Sequence, residues 1–209
     1  MNTANLKSYS QNTLTGEVFV EGPVSTANLE KMSMNEGLTS FRPADRQKEA
    51  LLKITELPEG MIYVARIGQE IIGYLTFHYP SKYSRWSKHP RVLELGGIEV
   101  SSSWRKKGIG TALLQKAFTN PIVEEYIIVA IEFCWHWDLR GSGLSLLAYH
   151  RMLISAFRKV GLTKRATDDP DILEDPANVL AARIGKNVSE EDSLLFENML
   201  LENKKGLLM

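Results

Sequence analysis

The stretch IEVSSSWRKKGIGTALLQKAF constrains the fold more than any other part of the chain. The residues before it, from Arg91 to Val100, are rich in β-branched and apolar side chains and predict a strand. Apolar residues recur at helical spacing from Ile109 to Phe118 and predict a helix. Gly108 stands between them, behind three basic residues, and Gly110 lies in the first turn of the predicted helix. The sequence therefore predicts a strand, a basic glycine-containing loop and a helix in direct succession.

Such a loop suits an anion. The first N–H groups of a helix have no intrahelical partners and carry partial positive charge, and glycine lets a ligand approach the backbone closely. We therefore predict a phosphate or pyrophosphate site over Arg105–Thr111. The pattern lacks the Gly-Lys-Ser/Thr end of a Walker loop and the third glycine of a dinucleotide fingerprint. A tight turn that enters a helix without any ligand is the alternative interpretation.

The flanking segments predict one α/β domain. A hairpin is expected from two β-rich runs joined by Gly68 and Gln69, and a central strand from the apolar run Tyr126–Phe133. Further strands are predicted at Gly16–Glu21 and Leu162–Thr167, and helices at Ala44–Thr55 and Leu144–Val160.

The predicted organisation has three parts. Residues 1–14 are expected to be flexible, 15–166 to form the domain, and 167–209 to form a helical extension packed on it. Within the extension we predict a short helix that ends at Gly185 and a last helix capped by Ser189. The acidic residues Asp168, Asp169 and Asp171 are expected to belong to a docking surface.

Composition and charge exclude several classes of protein. Lys plus Arg equals Asp plus Glu at 25 each, without the basic excess of a nucleic-acid binder. No apolar run approaches the roughly 18–20 residues that span a membrane, and the first residues have no apolar signal core. The single Cys134 and the lack of any metal-ligand spacing favour a metal-free cytoplasmic protein.

From about Gly60 to Leu162 the chain resembles the GCN5-related N-acetyltransferases (GNAT). MIYVARIGQEIIGYLTF is similar to their central hairpin, and IEVSSSWRKKGIGTALL to their motif [QR]-x-x-G-x-[GA]. The resemblance implies a GNAT fold with a mixed, mostly antiparallel sheet flanked by helices, and acetyl-CoA as co-substrate. It also implies a pantetheine site and a pyrophosphate site, the first formed by Ile98, Glu99 and Val100 and the second by Arg105, Lys106, Lys107, Gly108, Ile109, Gly110 and Thr111.

A narrower resemblance covers nearly the whole chain. Pieces such as FRPADRQKEAL, LELGGIEV, WHWDL, ATDDPDI and ARIGK, in this order, resemble the acetoin-utilisation acetyltransferases of Gram-positive bacteria. This implies transfer of acetyl to a lysine of a protein, acetyl-CoA synthetase, which is thereby switched off. Two alternatives stay open: a small-amine acetyltransferase with an acidic pocket near Pro80–Pro90, and a CoA-sensing module without turnover. A homodimer is also compatible with the sequence.

Acetyl transfer to lysine requires a general base, because the amine arrives protonated. Glu94 stands where GNAT histone acetyltransferases carry their base, and Glu99 is the second candidate. Strand alternation places the two on opposite faces unless a bulge intervenes. A surface carboxylate paired to a nearby cation is the alternative interpretation of either residue.

The general acid and a second base are less evident from the sequence. The tyrosine that serves many GNAT enzymes as acid is replaced by Phe157, and Tyr149 on the same predicted helix is the substitute candidate. His136 and Asp138 would form a base and its orienting partner if the strand continued through WHWDL. A structural role at the strand end is the alternative for His136, and a core position for Tyr149.

Overall fold

The computed structural model describes residues 9–13 and 16–202. The strands are β1 (Tyr9–Thr13), β2 (Gly16–Glu21), β3 (Ser33–Met34), β4 (Met61–Ile67), β5 (Glu70–His78), β6 (Val92–Val100), β7 (Ile127–Glu132), β8 (Thr163–Lys164) and β9 (Val179–Ile184). The helices are α1 (Thr26–Glu30), α2 (Ala44–Thr55), α3 (Ile109–Phe118), α4 (Leu139–Ser142), α5 (Leu146–Arg158), α6 (Pro170–Leu173) and α7 (Glu190–Leu200). Short 3₁₀ turns lie at Arg85–Lys88, Ser102–Trp104, Pro121–Glu125 and Cys134–His136.

All these strands form one sheet. Eight of them follow the order β1-β2-β4-β5-β6-β7-β9-β8, and the short β3 pairs with β5. The β6–β7 and β3–β5 pairs are parallel and the others are antiparallel, so the predicted mixed, mostly antiparallel sheet is confirmed. Part of the segment 1–14 that was expected to be flexible forms β1, and residues 1–8 and 14 lie outside the described residues.

Helices cover both faces of the sheet. On the α3–α5 face, helices α3 and α5 pack on the strands, with Leu113 and Phe157 in the core. On the α2–α7 face, α1 and α2 cover one half of the sheet, where Leu51 is buried. Helices α6 and α7 cover the other half, where Phe196 is buried. The two sides of strands β6 and β7 therefore face different helices.

The end of the chain differs from its prediction. Residues Val179–Ile184 form strand β9 and not a short helix, whereas α7 begins after its predicted cap, Ser189. The alanines of this run favoured a helix, but β9 pairs along the whole of β7 and is buried on both faces from Val179 to Ala182. Pairing with the open edge of β7 outweighs the local preference, because it satisfies the backbone of two buried strands. The boundary at 166/167 stays a prediction.

An ion-pair cluster joins the extension to the domain. Arg85 donates to Asp168 Oδ1 at 2.5 Å and to the Met199 carbonyl oxygen at 3.0 Å, and its Nε lies 3.7 Å from Asp169 Oδ2. Asp169 also caps α6 by accepting from Asp171 N–H at 3.1 Å. Asp168 and Asp169 thus face inward, which contradicts the expectation that they form a docking surface.

Candidate active site

A gap in the sheet creates the main cleft of the described residues. Strands β6 and β7 pair only from Val92 to Glu94, opposite Ile127 to Val129, and separate beyond these residues. The cleft between them has a volume of about 820 Å³. Its walls include Phe41 from one face of the sheet and Phe157 from the other, so the cleft passes through the sheet.

The unpaired edge of β6 presents backbone donors to this cleft. Ser101 N–H bonds to the Ile72 carbonyl of β5 at 2.9 Å, and backbone groups of an antiparallel pair alternate in direction. The N–H groups of Ile98 and Val100 therefore point away from β5, into the cleft. The Val100 carbonyl follows the same pattern, because it accepts from Arg105 Nε at 3.1 Å.

The predicted anion loop ends at the cleft. Gly108 caps α3 with φ 79°, in the left-handed region that favours glycine, and a Cβ there would meet no atom within 4 Å. The first intrahelical bond of α3 runs from Ala112 N–H to the Gly108 carbonyl at 3.0 Å, which leaves the N–H groups of Ile109, Gly110 and Thr111 without intrahelical acceptors. The helix has no acidic residue in its first turn. These groups fit a pyrophosphate.

Two of the three basic side chains of the motif contact protein groups. The Arg105 guanidinium donates to Asp138 and, at 3.4 Å, to Ser40 Oγ, in addition to its bond to Val100. Lys107 Nζ lies 4.3 Å from the centre of the Trp104 ring, in a cation–π contact, whereas Lys106 is exposed. Arg105 therefore links the two walls of the cleft at its mouth. The groups of the loop that can donate to an anion are mainly backbone N–H groups.

A β-bulge brings the two candidate bases to one face. Thr76 pairs with Gly97 and Phe77 with Leu95, so that Gly96 has no partner on β5. Glu94 opposes His78 and Glu99 opposes Tyr74 across the bulge, and both carboxyls point to the α2–α7 face. This is the exception that strand alternation allows: the extra residue of the bulge reverses the alternation between them, so the two carboxyls share a face.

The two carboxyls differ in their partners. Glu99 is buried, and its two oxygens accept from Ser40 N–H and from the Tyr74 hydroxyl, each at 2.7 Å. Glu94 lines the cleft, where burial raises the pKa of its carboxyl and the nearby His78 lowers it in part. Both residues line the cleft, but Glu99 fixes the loop at Ser40, whereas the Glu94 carboxyl is not held by these contacts and is the better candidate base.

The predicted His136–Asp138 pair does not form. Strand β7 ends at Glu132 and a 3₁₀ turn follows at Cys134–His136, where Asn178 accepts from Cys134 N–H at 2.9 Å. The Asp138 carboxylate accepts from Arg105, which holds its pKa below the usual range, and from Gly141 N–H at 2.7 Å. His136 is exposed at the lip of the cleft.

Tyr149 and a carboxyl that the sequence did not single out line the same wall. Tyr149 stacks on Trp137, with ring centres 5.1 Å apart, and burial raises the pKa of its hydroxyl. Glu132, the last residue of β7, also lines the cleft. Burial, together with the charge of Glu94, raises the pKa of the Glu132 carboxyl to about 7, although the Trp137 indole lowers it in part. Its only sequence signal is a carboxylate at the end of the apolar run IIVAIE.

Residues 9–13 and 16–202 hold no group of three or more His, Cys, Asp or Glu side chains that could bind a metal ion. No helix in these ranges is long and apolar enough to cross a membrane.

Comparison with known proteins identifies the family. The model of the acetyltransferase (GNAT) family matches residues 31–120. The acetoin utilization protein AcuA of Bacillus licheniformis is 42% identical over 191 residues, which cover 90% of this chain and 91% of that protein. AcuA of Bacillus subtilis strain 168 is 41% identical over 199 residues, which cover 94% and 92%. The crystal structure of an acetoin utilization protein from Exiguobacterium sibiricum 255-15 is 42% identical and matches 96% of both chains with a TM-score of 0.92. The chain therefore belongs to the GNAT acetyltransferase family, as an acetyl-CoA-dependent N-acetyltransferase closely related to the acetoin utilization proteins.

Proposed function

We propose that this enzyme transfers acetyl from acetyl-CoA to a lysine side chain of a protein, and that this protein is acetyl-CoA synthetase. The resemblance of the whole chain to the acetoin-utilisation acetyltransferases supports the acceptor. An enzyme that modifies a metabolic synthetase with acetyl-CoA works in the cytoplasm, which the single Cys134 also favours.

The exposed aromatic residues at the mouth of the cleft are the observation that best supports a protein acceptor. Phe41, which lines the cleft, is 45% exposed, and Trp135, which follows the end of β7, is 53% exposed. Phe41 lies over Gly97 of β6, and Trp135 stacks on the cleft residue Phe133 beyond β7, with ring centres 4.7 Å apart. Large exposed aromatic residues around an opening are typical of protein-binding surfaces. We infer that they hold the segment that carries the acceptor lysine.

A small-amine acceptor has less support. The acidic pocket that it would require was expected near Pro80–Pro90, but no residue of 80–90 lines the cleft. This segment forms a 3₁₀ turn on α7, with Trp86 fully buried against Phe196. Its basic side chains, such as Arg85, also have the wrong charge to attract an amine.

We infer a role for each wall of the cleft from its geometry. We assign the pyrophosphate to the backbone N–H groups at the start of α3, and the pantetheine arm to the open edge of β6. The N–H of Ile98 is then the donor for the thioester oxygen, on which negative charge develops during attack. Glu94, on the same strand just before the bulge, takes the proton of the lysine ammonium.

The experiment that tests the function combines purified enzyme, acetyl-CoA and acetyl-CoA synthetase. We expect one or a few acetylated lysines on the synthetase by mass spectrometry, together with loss of synthetase activity. Consumption of acetyl-CoA that leaves the synthetase unmodified would refute this acceptor. Small amines in the same assay test the alternative directly.

Glu94→Gln tests the base, because it keeps the shape of the side chain and removes its basicity. Turnover should fall at least about a hundredfold near neutral pH, with CoA affinity nearly unchanged by calorimetry. The wild-type rate should fall as pH falls through the raised pKa of Glu94, since a base must be ionised. The variant should lack this acid limb, because the amide of glutamine does not take up a proton in this range. A wild-type pH profile in the variant would exclude Glu94.

A further inference from the structure

The departing CoA sulfur has no evident proton donor at the usual position. Phe157 stands where many GNAT enzymes carry the acidic tyrosine, and its side chain is 1% exposed on the α3–α5 face. A thiolate that leaves into a partly apolar cleft requires either water or a nearby acid. The other groups that line this part of the cleft therefore determine how the departing sulfur receives its proton.

Glu132 lies on the same face as Phe157. Along β7, Ile127 and Val129 pack on the α2–α7 face, whereas Ile128 and Ala130 pack on the α3–α5 face. The strand pairs with β9 without interruption as far as Glu132, which opposes Val179. Alternation thus directs the Glu132 side chain to the α3–α5 face, opposite in direction to the proposed base Glu94 on β6.

The indole of Trp137 provides a polar contact for the Glu132 carboxyl. The Trp137 side chain is 7% exposed, and its indole N–H has no hydrogen-bond partner of good geometry among the described residues. This N–H lies near the Glu132 carboxyl, whose pKa it lowers in part. A buried donor without a partner is costly, and a carboxyl that turns toward it would relieve that cost.

We propose that Glu132 is the general acid of the reaction and gives its proton to the CoA sulfur. The lysine ammonium loses one proton to Glu94, and the amine nitrogen forms a bond to the thioester carbon. The C–S bond breaks, its electron pair stays on sulfur, and sulfur takes the proton of Glu132. The second amine proton passes to water, which later returns a proton to Glu132. Glu94 then releases its proton to solvent, so the products are acetyl-lysine, CoA thiol and one proton.

The charged and titratable neighbours of Glu132 are consistent with this role. The charge of Glu94 acts on Glu132 across the gap from β6, although the Glu94 side chain points to the other face of the sheet. Tyr149 of α5 interacts electrostatically with Glu132, and also with Arg105 and Asp138. The residue opposite on β9, Val179, is apolar. Burial raises the pKa of Glu132 to about 7, so its carboxyl can carry a proton near neutral pH, as a general acid requires.

The inference rests on acetyl transfer at this cleft but not on the identity of the acceptor. A first test therefore uses CoA alone. The ionisation of the bound CoA thiol is followed by the ultraviolet absorbance of its thiolate while pH is raised. A Glu132 carboxylate beside the sulfur disfavours the thiolate, so Glu132→Gln should lower the thiol pKa by about one unit. Tyr149→Phe serves as the matched variant on the same wall, and a shift in that variant alone would assign the acid to Tyr149 and overturn the proposal.

A second test uses the pH dependence of turnover. An acid must be protonated, so the wild-type kcat should fall as pH rises through the pKa of Glu132, and Glu132→Gln should lose this alkaline limb together with about a hundredfold in rate. Trp137→Phe removes the interaction that lowers this pKa and should move the limb to higher pH, whatever its effect on the maximal rate. If Glu132→Gln does not fold, the direction of the Trp137→Phe shift decides. A wild-type kcat and profile in Glu132→Gln, or an unmoved limb in Trp137→Phe, would refute the proposal.

Discussion

Replacement of Gly110 by valine separates CoA binding from folding. A Cβ at this position would lie 3.7 Å from Val100 Cγ2 and 4.0 Å from Ile98 Cδ1, which are ordinary contact distances. The protein therefore accommodates the first carbon without rearrangement. Valine is also a better helix residue than glycine by a few tenths of a kcal/mol, so the free energy of unfolding should not fall.

The two γ-methyl groups of valine should weaken pyrophosphate binding. They must lie near the cleft wall formed by Ile98 and Val100, beside the N–H groups of the first turn of α3. Loss of one charge-assisted hydrogen bond to phosphate costs about 1.5–3 kcal/mol. This range corresponds to a rise in the Kd for CoA of about tenfold to about 150-fold.

Calorimetry with CoA measures the effect, and thermal unfolding checks the fold. Gln115→Val is the matched control, because it introduces the same side chain on an exposed position of α3, outside the main cleft. The control should bind CoA like the wild type. If folded Gly110→Val also binds CoA with wild-type affinity, the pyrophosphate does not lie at the start of α3, and the assignment of this loop is wrong.

Two further predictions concern the acceptor surface and the extension. Trp135→Ala should raise KM for acetyl-CoA synthetase and leave the Kd for CoA unchanged, because the ring is exposed beside the mouth; an unchanged KM would remove it from the docking surface. Arg85→Met should cost about 3–5 kcal/mol in free energy of unfolding, measured with denaturant, because Asp168 and Asp169 lose a shared, largely buried cation. A loss below about 1 kcal/mol would show that solvent screens this cluster as it screens a surface ion pair.

The sequence predicted the half of the cleft that is local in the chain. Strand β6, the loop at Gly108 and helix α3 follow one another directly, so their periodicity and glycines define both the structure and the anion site. The sequence could not decide whether Glu94 and Glu99 share a face, because a bulge depends on the register with β5, which no pattern within β6 reports. A single unpaired residue, Gly96, decided which face the carboxyls share.

The sequence did not predict the β7 wall of the cleft, for a different reason. The alanines of 179–184 have a local preference for helix, yet β9 forms because the edge of β7 is open to pairing. The end of β7 in turn depends on Asn178, which accepts from Cys134 N–H and begins the turn that follows. Glu132, the carboxylate at the end of IIVAIE, can be recognised as a site residue only when the structure shows that β7 diverges from β6.

The relation between Glu94 and Glu132 suggests how the two proton transfers follow in order. Burial raises the pKa of both carboxyls, but the charge of Glu94 adds to the pKa of Glu132. While the base is ionised and ready, its charge therefore helps to keep the proton on the acid. When Glu94 takes the lysine proton, that charge disappears and Glu132 becomes a stronger acid as the sulfur begins to leave. Glu94→Gln should consequently lower the pKa of Glu132, and the alkaline limb of its residual activity should move to lower pH than in the wild type.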